Sequence, residues 1–323
     1  MTAPPFLITI DTEGDDLWSR PRTVTTRNAA FLERFQTLCE EHGLRPTWLV
    51  DYQMVSSPVF KRFASDVLER DAAEIGMHLH AWDSPPLEPL TEDDATYQPY
   101  LIEYPPRVMR EKIHALTGLL EDTFGMKMTS HRAGRWGFDE RYAEMLIAEG
   151  YRVDCSVTPL TSWQRSRGAP NGSGGPDFRR FPQEPYWIDL ADISRPGDSS
   201  LLEVPTTVAP GWPPLLQSVV AAGGLAGRLA NRVRPRAIWL RPDGRNVRHM
   251  VRLVDEIARA NGSHAEFMLH SSELMPGGSP TFRTEASIEA LYADLRALFA
   301  AVRGRYRGLT LRELHAELAA SRR

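Results

Sequence analysis

The chain has 323 residues, of which 42% are hydrophobic and 25% charged, and its formal net charge is −4 with a pI near 6.2. This composition is typical of a globular protein, and the acidic balance argues against a dedicated nucleic-acid binder. The N-terminus has no basic region of a secretory signal, and no stretch reaches the roughly 18 apolar residues of a membrane span. We therefore expect a cytoplasmic protein.

Short apolar runs alternate with amphipathic stretches, which predicts repeated strand–helix units around a parallel sheet. Strands are predicted at 6–10, 47–51, 74–78, 128–132, 151–156 and 265–270. Helices are predicted at 28–43, 58–71, 107–125, 138–150, 246–262, 285–303 and 310–320. About seven such units favour a barrel over an open sheet, although periodicity alone does not separate the two.

The pattern breaks between about 156 and 245, where loops rich in Gly, Pro, Trp and Arg replace the alternation. Only 186–190 and 201–205 read as strands within this segment. Long irregular inserts of this kind are usually functional or mobile. We therefore expect an irregular insert in an otherwise regular α/β fold.

Ionisable side chains stand where the predicted strands end, the edge at which parallel α/β folds bind ligands. They are Asp11 and Glu13 after the first strand, His78 and His80 at the third, His131 and Arg132 at the fourth, Asp154 at the fifth, and His270 at the late strand. Alternate residues of a strand point to the same face, so His78 and His80 can converge on one ion. His131 points away from the face of Arg132, and we expect it to be structural.

Two imidazoles and one carboxylate form a common set of ligands for a catalytic zinc that keeps one position open for water. Water bound to such an ion has its pKa lowered to about 7, which makes it a usable nucleophile. A second carboxylate can serve as general base, and a further histidine can protonate the leaving group. The strand ends supply one candidate for each of these parts.

Five motifs resemble those of the polysaccharide deacetylases, also called carbohydrate esterase family 4 or the NodB-homology domain. They are ITIDTEGD, EIGMHLHAW, RAGRWG, DCS and FMLHSS, and the resemblance covers roughly residues 5–160 and 265–275. The resemblance implies an α/β fold, a distorted (β/α) barrel of about seven parallel strands. It also implies a single catalytic domain over residues 1–323, with the irregular insert at about 156–245, and a divalent metal, most often Zn²⁺.

The resemblance also implies roles for individual residues. Asp11 resembles the catalytic base, His270 the general acid, and Arg132 the residue that holds the base in position, with Asp154 as the partner of Arg132. The metal ligands implied are Glu13, His78 and His80. Trp82, Trp136 and Arg135 are the candidate substrate-binding residues, and the backbone N–H of Trp136 matches a donor to the oxyanion.

The motifs depart from the family pattern in two places. The two histidines are two residues apart instead of four, with Trp82 in the fourth position, so Asp83 is an alternative second ligand. The first motif carries further acids, so the metal carboxylate is Glu13, Asp11 or Asp15. The third motif lacks the family's proline.

Two features bear on the substrate. Six tryptophans, most of them in predicted loops, suit the apolar faces of sugar rings, with local packing as the alternative: Trp82, Trp136, Trp163, Trp187, Trp212 and Trp239. Eight arginines lie between Arg228 and Arg252, and we interpret them first as a solvated face. The alternative is a site for the phosphates of a nucleotide- or lipid-linked sugar. The apolar stretch 215–229 before them is a candidate for weak contact with a membrane surface.

The leading hypothesis is a metal-dependent hydrolase that removes an N-acyl group, most simply N-acetyl, from an amino sugar or glycoconjugate. An amidohydrolase-type barrel also uses an HxH pair with metal, but that pair follows its first strand, whereas here it follows the third. A non-catalytic carbohydrate-binding protein on a decayed deacetylase fold is the alternative outside enzymology. Metal content separates the enzymes from this last alternative.

Overall fold

The computed structural model describes residues 3–212, 237–260 and 262–322. Its strands are β1 (Pro5–Thr12), β2 (Thr47–Val50), β3 (Glu74–Leu79), β4 (Ser130–Ala133), β5 (Val153–Asp154), β6 (Tyr186–Trp187), β7 (Leu202–Glu203), β8 (Val208–Pro210), β9 (Ala237–Trp239), β10 (Ala265–His270) and β11 (Arg307–Gly308). Its helices are α1 (Leu32–Glu41), α2 (Tyr52–Ser56), α3 (Pro58–Glu69), α4 (Asp94–Tyr97), α5 (Pro106–Phe124), α6 (Glu140–Ala148), α7 (Val247–Arg259), α8 (Glu285–Val302) and α9 (Leu311–Arg322). The predicted alternation of strands and helices in the first half of the chain is confirmed.

Nine of these strands form one curled sheet with the order β10-β1-β2-β3-β4-β5-β7-β6, and β11 pairs with the start of β1. Seven strands along this path are parallel, and only β6 runs antiparallel, against β7. The register places Asp11 beside His270 and His78 beside Arg132. The carboxyl ends of β1, β3, β4 and β10 therefore carry the predicted site residues at one edge of a distorted (β/α) barrel.

The insert contributes to this sheet through β6 and β7, which lie within the two strands predicted there. Its other described strands, β8 and β9, were not predicted, because each has only three residues, too few to show an alternating pattern; they form a separate antiparallel pair. Part of the predicted arginine run and the apolar stretch 215–229 lie outside the described residues.

Helix α5 shows how local sequence determines these elements. Pro106 occupies its first turn, where a proline costs no hydrogen bond, and Gly125 ends it with a φ of 64°. Val108, Ile113, Leu116 and Leu120 recur at helical spacing and are buried. None of the helices in the described ranges is long and apolar enough to cross a membrane.

The predicted helix 28–43 begins later than expected, at Leu32, because residues 27–31 form a 3₁₀ turn. Asp15 accepts the backbone N–H groups of Arg27 and Asn28, at 3.1 and 3.0 Å. The Asn28 side chain in turn donates to the carbonyl oxygen of Glu13 at 2.7 Å. These bonds tie the helix start to the turn after β1, which carries the candidate metal carboxylate.

Candidate active site

A pocket of about 350 Å³ opens at the carboxyl ends of β1, β3 and β10. Its floor is formed by Asp11, Glu13, His78, His80 and His270. Its walls are mostly aromatic and carry two arginines: Trp18, Trp82, Tyr100, Trp136, Trp163, Arg135 and Arg241. The pocket thus combines charged groups at its base with apolar surfaces above them, as in many small-ligand sites.

Glu13, His78 and His80 converge at the base of the pocket. The Glu13 Oε2 atom lies 3.5 Å from His78 Nε2 and 3.3 Å from His80 Nε2, and all three side chains are buried. His78 Nδ1 is 3.0 Å from the carbonyl oxygen of Arg132. A carbonyl only accepts, so Nδ1 carries the ring proton of neutral His78 and Nε2 keeps a free lone pair. One carboxylate and two imidazoles fit a divalent ion such as Zn²⁺.

The charges around these residues shift their pKa values strongly. Burial alone would lower the pKa of His78, but the carboxylates of Asp11 and Glu13 raise it to about 9. Burial and the charge of His78 hold the pKa of His80 well below its usual value. A divalent ion at His78 therefore competes with a proton, and its binding weakens as the pH falls.

The alternative carboxylates occupy different surroundings. Asp15 accepts the Thr25 hydroxyl at 2.6 Å, in addition to the bonds to residues 27 and 28, and lies outside the cluster of Glu13 and the two histidines. Asp83 does not join that cluster either, but lies with Asp51 beside His80. Burial and the charges of Asp51 and Glu13 raise the pKa of Asp83 well above its usual value.

Asp11 lies between an arginine and the candidate acid. Its Oδ1 accepts from Arg132 at 2.6 Å, and its Oδ2 is 3.6 Å from His270 Nε2 and 4.0 Å from His78 Nε2. Burial would raise the pKa of Asp11, but Arg132, His78 and His270 together hold it well below its usual value. Asp11 is therefore an anion at neutral pH, able to accept a proton.

The predicted pairing of Arg132 with Asp154 is wrong. Arg132 is fully buried and donates to Asp11, to the Thr9 hydroxyl at 2.7 Å and to Glu266. Asp154 lies beside His131 in the register and bonds its Nδ1 at 2.6 Å. Neighbouring residues of a strand face opposite sides, so Asp154 shares a side with His131 and not with Arg132.

Glu203 lies beside Asp154 in the register of β5 and β7, and Asp154 bonds to His131. Glu203 is fully buried, and its Oε1 accepts the backbone N–H of Val157 at 2.9 Å. Burial and the charge of Asp154 raise the pKa of Glu203 well above its usual value. The folded state therefore binds this proton more tightly than the unfolded state, so the contribution of Glu203 to stability decreases as the pH rises above the unfolded pKa of about 4.3.

Glu203→Gln should therefore gain stability relative to the wild type as the pH rises from about 4.5 to 8, by at most about 1.4 kcal/mol per pH unit. Urea unfolding of both proteins across this range measures the difference. Glu92→Gln, at an exposed position, is the control and should show no such trend. A difference between Glu203→Gln and wild type that stays constant with pH contradicts the prediction.

Two residues contact His270 that the sequence did not predict to lie there, Glu273 and Arg241. Glu273 Oε2 accepts the backbone N–H of His270 at 3.0 Å and lies 3.3 Å from its Nδ1, and Arg241 lies 3.0 Å from the same nitrogen. Burial would raise the pKa of Glu273, but Arg241 and His270 lower it to about 2. The spacing of Glu273, three residues after His270, matches a capping box and was the available signal.

The predicted substrate-binding residues line the pocket. Trp82 stacks on His80 with ring centroids 4.4 Å apart, and Trp136 stacks on Trp163 at 6.2 Å. Arg135 lies over Tyr100, 4.2 Å from the ring centroid. Arg135 and Trp136 have positive φ angles of 56° and 64°, a conformation that costs energy outside glycine and is often found at functional sites.

Not every predicted loop tryptophan reaches the pocket. Trp163 lines it, whereas Trp187 lies on β6 against His315 and Arg322. Trp239 packs against Trp136 and Trp163 and does not line the pocket. For Trp187, packing is therefore the better interpretation than sugar binding.

Comparison with known proteins supports the fold but shows no family membership by sequence. No family model matches the chain, and no curated protein matches it. A candidate polysaccharide deacetylase from Mycobacterium smegmatis is similar in structure, with a TM-score of 0.55 and 14% identity, covering 99% of this chain and 96% of that one. A candidate glycoside hydrolase/deacetylase from Parabacteroides distasonis has a TM-score of 0.61 at 13% identity, covering 98% and 72%.

The fold expected from the motifs is therefore confirmed: the chain has a divergent form of the polysaccharide deacetylase fold. A 4-alpha-glucanotransferase from Thermococcus litoralis has a TM-score of 0.56 and 12% identity, covering 98% of this chain and 41% of that one. Proteins of different activities thus share this fold, and the reaction must be argued from the site.

Proposed function

We propose that the protein is a metal-dependent deacetylase that hydrolyses the N-acyl group, most simply N-acetyl, of an amino sugar or glycoconjugate. The observation that carries the proposal is the convergence of Glu13, His78 and His80 on one point beside the ionised Asp11. In this proposal Glu13, His78 and His80 hold a divalent ion, most simply Zn²⁺. When bound, the ion supplies an acidic water and polarises the acyl carbonyl.

Two residues next to the proposed metal ligands carry out the proton transfers, Asp11 and His270. Asp11 accepts the proton of the attacking water, and Arg132 keeps Asp11 oriented and ionised. His270 donates a proton to the departing amine and is oriented by Glu273 at its Nδ1. The second carboxylate that pairs with Arg132 is Glu266, and not Asp154 as predicted.

The walls of the pocket suit a sugar. Trp18, Trp82 and Trp163 stay partly exposed in the pocket and offer flat apolar surfaces, on which the faces of pyranose rings pack. Arg135 and Arg241 add donors for hydroxyl groups or for an anionic substituent, such as the diphosphate of a nucleotide- or lipid-linked sugar. These features support an acylated amino-sugar substrate.

The proposal is tested by metal analysis together with release of acetate from N-acetylglucosamine, its nucleotide diphosphate form and a chito-oligosaccharide. We expect about one zinc-like ion per chain, and turnover of at least one substrate. His78→Ala and His80→Ala should lose both the ion and the turnover, because a site with two remaining ligands binds Zn²⁺ weakly. His114→Ala, an exposed histidine on α5, is the control and should keep both.

Two outcomes contradict the proposal. A wild-type protein that holds no ion even after reconstitution favours the non-catalytic carbohydrate-binding alternative. Retention of the ion by both histidine variants would mean that the ion binds elsewhere.

A further inference from the structure

The loop after β3 carries a buried acid without a hydrogen-bond partner. Both carboxylate oxygens of Asp83 are buried, and neither bonds to any described residue. The Nδ1 atom of His80 is also buried and unpartnered among these residues, and His80 is only 4% exposed. Asp51, His80 and Asp83 each offer a ligand atom within 4.8 Å of the other two. Unsatisfied buried groups of this kind are rare and call for an explanation.

The orientation of the His80 ring indicates which nitrogen faces these acids. Its Nε2 lies 3.3 Å from Glu13 Oε2, toward the metal cluster. Its Cδ2 edge faces Gly134, so closely that a Cβ added to Gly134 would lie 2.2 Å away. Nδ1 is on the opposite edge of the ring from Cδ2, so it is the nitrogen turned away from Gly134 and left for Asp51 and Asp83.

Of the two acids, Asp51 already accepts hydrogen bonds with both of its carboxylate oxygens. Its Oδ1 accepts the backbone N–H of Met54 at 2.6 Å, which caps α2, and its Oδ2 accepts that of Gly14 at 3.2 Å. Asp83 has no such partner, and its loop is held by Lys112, which donates to the carbonyl oxygens of Ser84 and Pro86, both at 2.6 Å. The free acceptor capacity beside His80 therefore belongs to Asp83.

We infer that Asp83 is a positioning residue for the metal site: it accepts the Nδ1–H of His80 through one bridging water, while His80 Nε2 binds the divalent ion. The inference rests on the proposed function. Histidine ligands usually donate their second N–H to a carboxylate or carbonyl, which fixes the ring and raises its basicity. In this arrangement Asp83 orients the His80 ring, just as the carbonyl oxygen of Arg132 orients the His78 ring by accepting from its Nδ1.

A second ion held by Asp51, Asp83 and His80 is the competing explanation. A neutral imidazole has one lone pair, so one His80 ring serves two ions only after losing both ring protons. An N–H donated to Asp83 needs no such step. The two explanations differ in the number of ions per chain.

The test measures the zinc affinity of the full-length protein by competition with a chelator at one neutral pH. Asp83→Ala should bind Zn²⁺ about 10- to 100-fold more weakly than wild type, the range found when such partners are removed. Asp83→Asn should lose less, because the amide oxygen still accepts from Nδ1–H. Asp122→Ala removes an exposed acid on α5 and is the matched control, with unchanged affinity expected.

A stability measurement separates this role from a structural one. Without metal, removing the Asp83 carboxylate should not lower the melting temperature, because no direct hydrogen bond to a protein group is lost. A variant that melts well below wild type without metal, and binds zinc normally once folded, would make Asp83 a structural residue and overturn the inference.

Further outcomes distinguish this inference from the proposed function. If wild type binds one ion and hydrolyses substrate while Asp83→Ala and Asp83→Asn keep wild-type affinity, only the inference fails. Two ions in wild type and one in Asp83→Ala would make Asp83 a direct ligand and also overturn it. If the wild-type protein binds no ion, both the inference and the proposed function fail.

Discussion

Asp11→Asn is expected to lower the turnover of an N-acetylated sugar by about 10²- to 10⁴-fold, the usual contribution of a general base. The amide has the shape of the carboxylate and can still accept from Arg132, but it cannot take a proton from water. Glu13, His78 and His80 are unchanged, so the zinc content should stay at the wild-type value. Steady-state acetate release and metal analysis of the same preparation measure both quantities.

The matched control for this variant is Asp16→Asn in the same turn. Asp16 does not line the pocket and has a φ of 47°, a conformation that asparagine adopts readily. We expect its turnover to be unchanged. Wild-type turnover by Asp11→Asn would exclude Asp11 as the base, and loss of zinc by this variant would identify Asp11 as a ligand instead.

Arg132→Met is expected to lower the free energy of unfolding of the metal-free protein by about 3–5 kcal/mol, the usual cost of breaking a buried ion pair from one side. Arg132 is fully buried between Asp11 and Glu266, with the Thr9 hydroxyl as a third partner. Methionine fills part of the volume but leaves two carboxylates without their cation. The loss should be measured by urea unfolding in the presence of a chelator.

The size of this effect should depend on pH in a defined direction. Burial raises the pKa of Asp11, and Arg132 is the main group that lowers it. Without Arg132, Asp11 holds its proton more tightly when folded than when unfolded, so the variant loses stability as the pH rises. The loss relative to wild type should therefore be larger at pH 8 than at pH 5. Arg34→Met removes an exposed arginine paired with Glu289 and is the control, with an expected cost of about 0–1 kcal/mol. An equal cost for the two variants would contradict the central role of Arg132.

Periodicity in the sequence predicted most of the fold because a strand or helix buries a regular pattern of side chains. The six strands predicted along the parallel sheet all form, and the two short strands in the insert form within their predicted ranges. The start of α1 was misplaced because it depends on Asp15 and Asn28, whose bonds to the turn after β1 join separate segments. Local patterns carry no information on such contacts.

For the site, the sequence alone determined which groups reach the carboxyl edge of the sheet. These groups all follow or end strands: Asp11, Glu13, His78, His80 and His270. The two-residue period of a strand also puts both neighbouring histidines, His78 and His80, on one face. Only the tertiary structure decided which side chains pair. It brought Glu266 and not Asp154 to Arg132, Glu273 and Arg241 to His270, and Asp83 close to His80. The physical reason is that spacing along one strand determines the face of a side chain, whereas its partner depends on the register and facing of strands and loops distant in sequence.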